Sequence, residues 1–256
     1  MTHSDFARRW QRRFAERGAR FDDDAGIAGW TETGLASRLR QFRRHWRRTG
    51  RAPHGVWIDV GCGAGTYCRW LHEQGAAVIG VDYAGPSLHK ARARSPAGIG
   101  WVAGDVRQLP LPGQVADGLL CLGVTQALPE SGTALAELCR VLRPGGELWV
   151  DGLNARCLPT ALAERRRRRA GGAPHLRYED PEALQRTAEA AGLELVERVW
   201  LPLVPGRLAA LQPALEAAPA LGLLHRLPGL GARLSHSFLL RLRRRRPGHG
   251  EALGYA

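Results

Sequence analysis

The sequence lacks the features that mark secreted, membrane-spanning and zinc-binding proteins. Residues 1–20 are polar and rich in arginine, without the apolar stretch of a secretory leader, so we expect none. No uninterrupted apolar run is long enough to span a bilayer. The five cysteines are odd in number and show no C-x-x-C spacing, which argues against a disulfide framework and a zinc site. We therefore expect reduced, partly buried thiols, a cytoplasmic protein and no bound metal.

Lysine is nearly absent and acidic residues are few. All but one of the 37 basic residues are arginine, the exception being Lys90, and 24 acidic residues leave a net charge of +13. The basic excess lies in residues 1–52, 156–177 and 226–256, so the rest of the chain is mildly acidic. We interpret the arginine runs at 165–169 and 243–246 as solvated surface. Contact with anionic lipid head groups is the alternative.

The most informative pattern lies in residues 56–70. An apolar run interrupted by Asp59 leads into glycines at three alternate positions, the first being Gly61, and helical spacing follows over Thr66–Glu73. This order predicts a parallel strand that turns tightly into a helix start. Glycine there lets the backbone approach a ligand, and the free N–H groups favour a polar or anionic group. A dinucleotide site would need glycine at the sixth position of the motif, where Thr66 stands.

Two further acids follow predicted strands. Asp82 ends the strand Ala77–Asp82, 21 residues beyond Gly61, where an acid can accept both ribose hydroxyls of an adenosine. Asp105 ends the predicted strand 99–105. Because parallel strands present their carboxyl ends at one edge of the sheet, these acids are expected to share a cleft with the glycine turn.

Together these segments resemble the class I S-adenosylmethionine-dependent methyltransferases of the small-molecule type. The D-x-G-x-G-x-G stretch is similar to their motif I, residues 104–110 to their G-D-x-x-x-L-P segment, and residues 142–146 to their L-x-P-G-G turn before strand five. The resemblance implies an α/β fold with a doubly wound, seven-stranded Rossmann-like sheet. Its implied strand order is 3-2-1-4-5-7-6, with the last strand antiparallel and an N-terminal helical cap.

The resemblance also implies S-adenosyl-L-methionine as the cofactor. By position, Asp82 would bind the ribose with Tyr83 beside the adenine, while Asp105 and the backbone N–H of Val106 would recognise the adenine amino edge. The end of strand four would pass the methionine end of the cofactor. The expected cofactor-binding residues are Asp59, Gly61, Cys62, Gly63, Gly65, Asp82, Tyr83, Asp105, Val106, Cys121 and Leu122.

Four regions are expected along the chain. They are a helical cap over residues 1–52, the cofactor-binding core over 53–200, an apolar helical insertion with the last strand over 201–246, and a tail over 247–256. Residues 201–235 are apolar and contain Glu216 as their single acid. We interpret this segment as a lid over a small substrate. Enclosure of a hydrophobic substrate, a peripheral membrane contact and a dimer face are the alternatives.

The sequence leaves the general base unassigned. Many members of the resembled family carry a histidine or acid after strand four, but this chain has Gln126 there, which cannot act as a base. His175 and Tyr178 are the remaining candidates, in a loop expected at the carboxyl edge of the sheet. The alternative is that His175 only packs or hydrogen-bonds within its loop.

The leading hypothesis is methyl transfer to a small-molecule acceptor. Oxygen is the expected atom, with nitrogen or carbon as the alternatives, in a quinol, a lipid-linked compound, a saccharide or a secondary metabolite. An RNA methyltransferase is the runner-up, because the appendages are basic. Against it stand a missing N/D-P-P-Y/F tetrad after strand four and the lack of aromatic and basic residues in alternation. A catalytically silent, cofactor-binding partner subunit is the third alternative.

Overall fold

The structure is a computed structural model, and it describes residues 3–50, 54–171, 176–202, 210–216, 222 and 226–246. Its centre is a seven-stranded sheet in the order β3-β2-β1-β4-β5-β7-β6. The strands are β1 Val56–Val60, β2 Ala77–Asp82, β3 Gly100–Ala103, β4 Ala116–Cys121, β5 Leu142–Leu153, β6 Leu193–Leu201 and β7 Ser237–Arg244. β7 runs antiparallel to β5 and β6, whereas the pairs among β1 to β5 are parallel. The predicted strand order and antiparallel last strand are confirmed.

Helices cover both faces of this sheet. They are α1 His3–Arg20, α2 Asp24–Ala28, α3 Glu32–Arg48, α4 Thr66–Glu73, α5 Gly85–Arg94, α6 Gly132–Val141, α7 Leu158–Arg169, α8 Pro181–Ala190, α9 Gln212–Leu215 and α10 Pro228–Leu234. The helices α1 to α3 lie where a helical cap is predicted, and α1 packs against α5. No helix among the described residues is both long and apolar enough to cross a bilayer.

Local capping explains why several predicted bounds agree with the structure. The backbone N–H groups of Glu182 and Ala183 both donate to Oδ1 of Asp180 at 3.0 Å, and this N-cap starts α8. The left-handed Gly65 precedes α4, and the bounds of α4 and β2 are those predicted. These signals are local, so they can be read from neighbouring residues alone.

The start of β5 differs from the prediction. The sequence predicts a turn at residues 143–146 and a strand only from Glu147, whereas β5 already begins at Leu142. Ala116 of β4 pairs with Leu142, and Gly118 pairs with Glu147, so the extra residues form a bulge inside a continuous strand. The left-handed Gly145, with φ of +82°, lies in this bulge.

The core lies on both faces of the sheet because side chains alternate along a strand. Leu119 and Leu148 belong to the cluster that packs beneath α6 and α8, whereas Leu120 and Trp149 belong to the cluster beneath α3 and α4. All four are fully buried, and each such side chain contributes about 1.5–3 kcal/mol of apolar burial. On the second face Phe42 of α3 meets the Trp149 ring edge-on at 5.3 Å, which joins the helical cap to the sheet.

Candidate active site

A cleft opens at the carboxyl ends of β1, β2 and β4, where open α/β sheets bind their ligands. Its walls come from the turn 61–64, the end of β2, the loop 104–107, the loop 122–124 and the cap helices α1 to α3. It holds about 1130 Å³ of space, counting the solvent at its mouth.

The glycine turn forms the floor of the cleft. The N–H groups of Gly61 and Cys62 donate to the Val81 carbonyl at 2.7 and 3.1 Å, which ties the turn to β2. Gly63 has a φ of +51° and lines the cleft, and no atom lies within 4 Å of the point where a Cβ would stand. The space that a side chain would fill at Gly63 is therefore open to a ligand.

Asp82 joins the glycine turn to the end of β2. Its Oδ2 accepts the Gly63 N–H at 2.8 Å, and its Oδ1 accepts the Ala84 N–H at 2.8 Å. The side chain lines the cleft and is 8% exposed, and this burial raises the pKa of Asp82. A carboxylate has about four acceptor sites, so Asp82 can still accept a hydrogen bond from a hydroxyl group of a ligand.

Tyr83 and Asp105 line the cleft next to Asp82. The Tyr83 hydroxyl donates to the Trp10 carbonyl at 3.3 Å, which connects the core to α1. Asp105 forms a two-point ion pair with Arg107, at 3.0 Å to Nε and 2.6 Å to Nη2, and this contact lowers the pKa of Asp105. Val106 is buried and also lines the cleft. The sequence prediction did not include the partner of Asp105.

Three of the predicted cofactor residues, Asp59, Gly65 and Cys121, do not line the cleft. Because side chains alternate along strands, Val60 and Leu122 line the cleft while their neighbours Asp59 and Cys121 are buried away from it. Gly65 instead allows close packing, since a Cβ there would lie 2.7 Å from Cη2 of Trp101. The other eight lie on the cleft wall: Gly61, Cys62, Gly63, Asp82, Tyr83, Asp105, Val106 and Leu122.

Asp59 occupies a buried position behind the glycine turn. It is 2% exposed, and Sγ of Cys68 donates to its Oδ2 at 3.4 Å. Burial raises the pKa of Asp59 to about 7, with a smaller contribution from the charge of Asp82. All five cysteines, Cys68 among them, are free and buried.

The cap supplies cleft residues that the sequence analysis missed. Asp23 caps α2 by accepting the Gly26 N–H at 2.6 Å through Oδ1. Asp24, however, lines the cleft and forms an ion pair with Arg69 of α4. This contact joins residues far apart in the chain, so no local pattern indicates it.

A buried ion pair closes the end of the cleft near β4. Arg38 of α3 is 8% exposed, pairs with Asp151 of β5 and lies over the Trp30 ring at 4.0 Å. Asp151 in turn accepts the Gly123 N–H at 2.6 Å through Oδ1. Burial lowers the pKa of Arg38 to about 10. Arg38, Trp30 and Gly123 line the cleft, so this pair connects the cap to the loop after β4.

The general base stays unassigned in the part of the chain that the structure describes. His175 lies outside the described residues, and Tyr178 is described but does not line the cleft. Gln126 is buried, and its carbonyl accepts the Arg177 N–H at 3.3 Å. No histidine lines the cleft in the part of the chain that the structure describes, and within that part no group of His, Cys, Asp and Glu side chains is arranged to hold a metal ion.

The strand order, the glycine turn and the acid at the end of β2 are arranged as expected for a class I, S-adenosylmethionine-dependent methyltransferase domain. In agreement, residues 58–150 match the family model of a methyltransferase domain. The cofactor of this class is S-adenosylmethionine.

The chain is similar to several curated methyltransferases. It is 39% identical to malonyl-[acyl-carrier protein] O-methyltransferase of Serratia marcescens over 98 residues, which is 38% of either chain. It is 39% identical to trans-aconitate 2-methyltransferase of Azoarcus sp. over 96 residues, 37% of either chain. It is 30% identical to ubiquinone biosynthesis O-methyltransferase of Pseudomonas paraeruginosa over 125 residues, 45% of this chain and 52% of the relative. The chain thus spans about half the length of these relatives or less.

Solved structures agree with the fold. Magnesium protoporphyrin IX methyltransferase from Synechocystis PCC 6803, with bound S-adenosylhomocysteine, has a TM-score of 0.59 at 14% identity, over 86% of this chain and 85% of that one. An S-adenosylmethionine-dependent methyltransferase from Mesorhizobium loti has a TM-score of 0.56 at 19% identity, over 75% and 92%. At such identities the likeness concerns the fold alone.

Proposed function

We propose that this protein transfers a methyl group from S-adenosylmethionine to an oxygen of a small-molecule acceptor. The observation that carries the proposal is the Asp82 carboxylate, which faces the cleft while it accepts the Gly63 N–H at 2.8 Å. A carboxylate that can accept hydrogen bonds from hydroxyl groups thus lies directly beside the open space at Gly63. This arrangement accommodates an adenosine with a flexible arm.

The cleft residues fit this cofactor on two further points. The empty position beside Gly63 gives room for a ligand to lie against the backbone. The Nε1 atom of Trp10 is buried without a hydrogen-bond partner among the described residues, and Trp10 lines the cleft, so a donor remains for a ligand acceptor. In the proposal Asp82 holds the ribose, Tyr83 and Val106 flank the adenine, and the glycine turn holds the methionine part.

The bound cofactor supplies a methyl group already activated on a sulfonium. The chain itself has to position the acceptor oxygen in line and to exclude water. The cap contributes to both, because Ile27, Trp30 and Leu35 line the cleft beside Leu128 of the core. Since no base is assigned, an acceptor that is already ionised at neutral pH, such as a carboxylic acid, is the simplest substrate for this site.

The relatives support oxygen as the acceptor atom. Two of them are named as O-methyltransferases, of a malonyl-[acyl-carrier protein] and in ubiquinone biosynthesis, and a third as a trans-aconitate methyltransferase. We therefore include free and thioester-linked carboxylic acids with the quinol, lipid-linked, saccharide and secondary-metabolite classes. The apolar cap wall favours an acceptor that is partly hydrophobic.

The test has a binding step and a transfer step. Titration calorimetry measures the affinity of the purified protein for S-adenosylmethionine and S-adenosylhomocysteine. Radiolabelled S-adenosylmethionine is then offered with carboxylic acids, quinols, saccharides and total RNA, and we expect label in one of the small-molecule classes. Absence of binding overturns the proposal. Binding with label in RNA would replace the acceptor class, and binding with no transfer would favour the silent partner subunit.

A further inference from the structure

The helix α7 has an unusual environment, because none of its side chains is buried. Leu158 and Leu162 are 51% and 56% exposed, and as residues four apart they lie on one face of the helix. A helix of this length is marginally stable in water by itself and is normally held by packing of an apolar face. The leucines of α7 therefore form an apolar face that the described residues leave exposed.

The neighbouring helix α10 repeats this feature. It packs against α7, and its Leu230 and Leu234 are 37% and 47% exposed. Leu227, directly before α10, is 48% exposed. Single exposed leucines are ordinary on a protein surface, but a group on two adjacent helices is typical of an interaction site.

Arginines accompany these leucines on both helices. The second half of α7 carries five arginines in sequence, and Glu164 is the single acid in that helix. Glu164 already forms ion pairs with Arg167 and Arg168. On α10, Arg233 is exposed and no acid is present. The leucines lie at the start of α7 and the arginines at its end, so the apolar and positive groups are separated along the helix.

We propose that α7 and α10 form a leucine–arginine surface that docks on the surface of an anionic lipid bilayer. This surface comprises Leu158, Leu162, Leu230 and Leu234 with the arginines of the two helices. The leucines would enter the acyl boundary, and the arginines would stay at the level of the phosphates with their stems along the apolar region. Charge complementarity carries the choice of partner, since anionic head groups attract clustered arginine.

The leucine–arginine surface lies at the end of the sheet where the cleft opens. α7 starts just beyond the end of β5, at the edge of the sheet where the cleft opens, and Thr160 of α7 lies 3.3 Å from Nδ1 of His236. A protein docked here would hold its cleft close to the bilayer, within reach of hydrophobic acceptors. Docking concerns the outer surface, so it is independent of the proposed methyl transfer.

The experiment measures binding of the full-length protein to lipid vesicles by sedimentation. We expect binding to phosphatidylcholine vesicles that contain phosphatidylglycerol, weaker binding to phosphatidylcholine alone, and a decrease as salt is raised. The variant L158S/L162S should lower the partition coefficient roughly tenfold or more. The variant R165Q/R169Q should lower it roughly tenfold. All four side chains are exposed, so both variants are expected to fold.

Two control variants distinguish a specific leucine–arginine surface from nonspecific binding to vesicles. V196S removes an apolar side chain that is 39% exposed on the edge strand β6. R47Q/R48Q removes the same charge from the end of α3. The last turn of α3 lies near the amino ends of β1 and β4, away from the end of the sheet where the cleft opens. Both controls should bind vesicles as the wild type does. Equal loss in controls and test variants overturns the proposal.

Other partners would give different results in the same experiment. Vesicle binding that does not depend on anionic lipid overturns the proposal. So does self-association that L158S/L162S abolishes while vesicle binding is absent, because the partner is then a second copy. Retention of the protein by RNA without any binding to vesicles would also overturn it. Cofactor affinity, measured separately, should be unchanged in every variant.

Discussion

Replacement of the buried Asp59 by asparagine tests the electrostatics behind the glycine turn. The carboxyl group of Asp59 is 2% exposed, and burial raises its pKa from 3.8 to about 7. Asparagine has nearly the same shape as the protonated acid but cannot ionise. D59N therefore removes a titrating group from the core and leaves its volume almost unchanged.

The expected size follows from the two pKa values. Between about pH 4 and pH 7 the folded protein keeps a proton on Asp59 that the unfolded chain releases, so the free energy of unfolding falls as pH rises. A difference of about 3 pKa units corresponds to about 4 kcal/mol in total. The contribution of the Asp59 proton to the free energy of unfolding is fully present below about pH 4. It is lost once the pH has risen through about 7.

The assay is urea unfolding of wild type and D59N, followed by tryptophan fluorescence from about pH 5 to about pH 8. The stability of D59N relative to wild type should rise by about 3 kcal/mol over this range. Titrating groups that are not coupled to Asp59, such as His236, whose pKa burial lowers to about 4, affect both proteins equally. A stability difference between the two proteins that stays constant with pH would refute the reasoning.

Two further predictions concern the turn and the buried ion pair. G63A should cost about 1 kcal/mol of stability because Gly63 is left-handed, and G75A should cost as much, since Gly75 has a φ of +93° and equally open surroundings. G63A alone should weaken S-adenosylhomocysteine binding, by about tenfold or more in calorimetry; equal affinities would remove Gly63 from the site. R38M should lower the free energy of unfolding by about 3–5 kcal/mol because it leaves Asp151 buried and unpaired. The double variant R38M/D151N should recover much of this loss in urea unfolding, and no recovery would contradict the pairing.

Local signals made much of the core predictable. The bounds of β2 and α4 agree with the structure because an acid, a glycine turn and an apolar run follow each other within a few residues. The order of the sheet came from the resemblance of several motifs to one family, and β7 confirms it by running antiparallel to β5 and β6. Asp82 and Gly63 were expected at the cleft for the same reasons, and the structure brings them into contact there.

The site residues that the sequence does not indicate depend on tertiary packing. The pairs Arg38–Asp151 and Asp24–Arg69 join the cap to the core across long stretches of chain, so no spacing rule indicates them. The position of Asp59 away from the cleft wall has a different cause. The motif fixes the position of this residue in the sequence, but the alternation of side chains along β1 turns Val60 rather than Asp59 into the cleft.

A crystal structure of the protein with S-adenosylhomocysteine tests the central claim most directly. The account predicts the ribose hydroxyls within about 3 Å of the Asp82 carboxylate, with the homocysteine part against the open face of Gly63. A ligand bound elsewhere, or bound in this cleft with the ribose away from Asp82, would contradict the account.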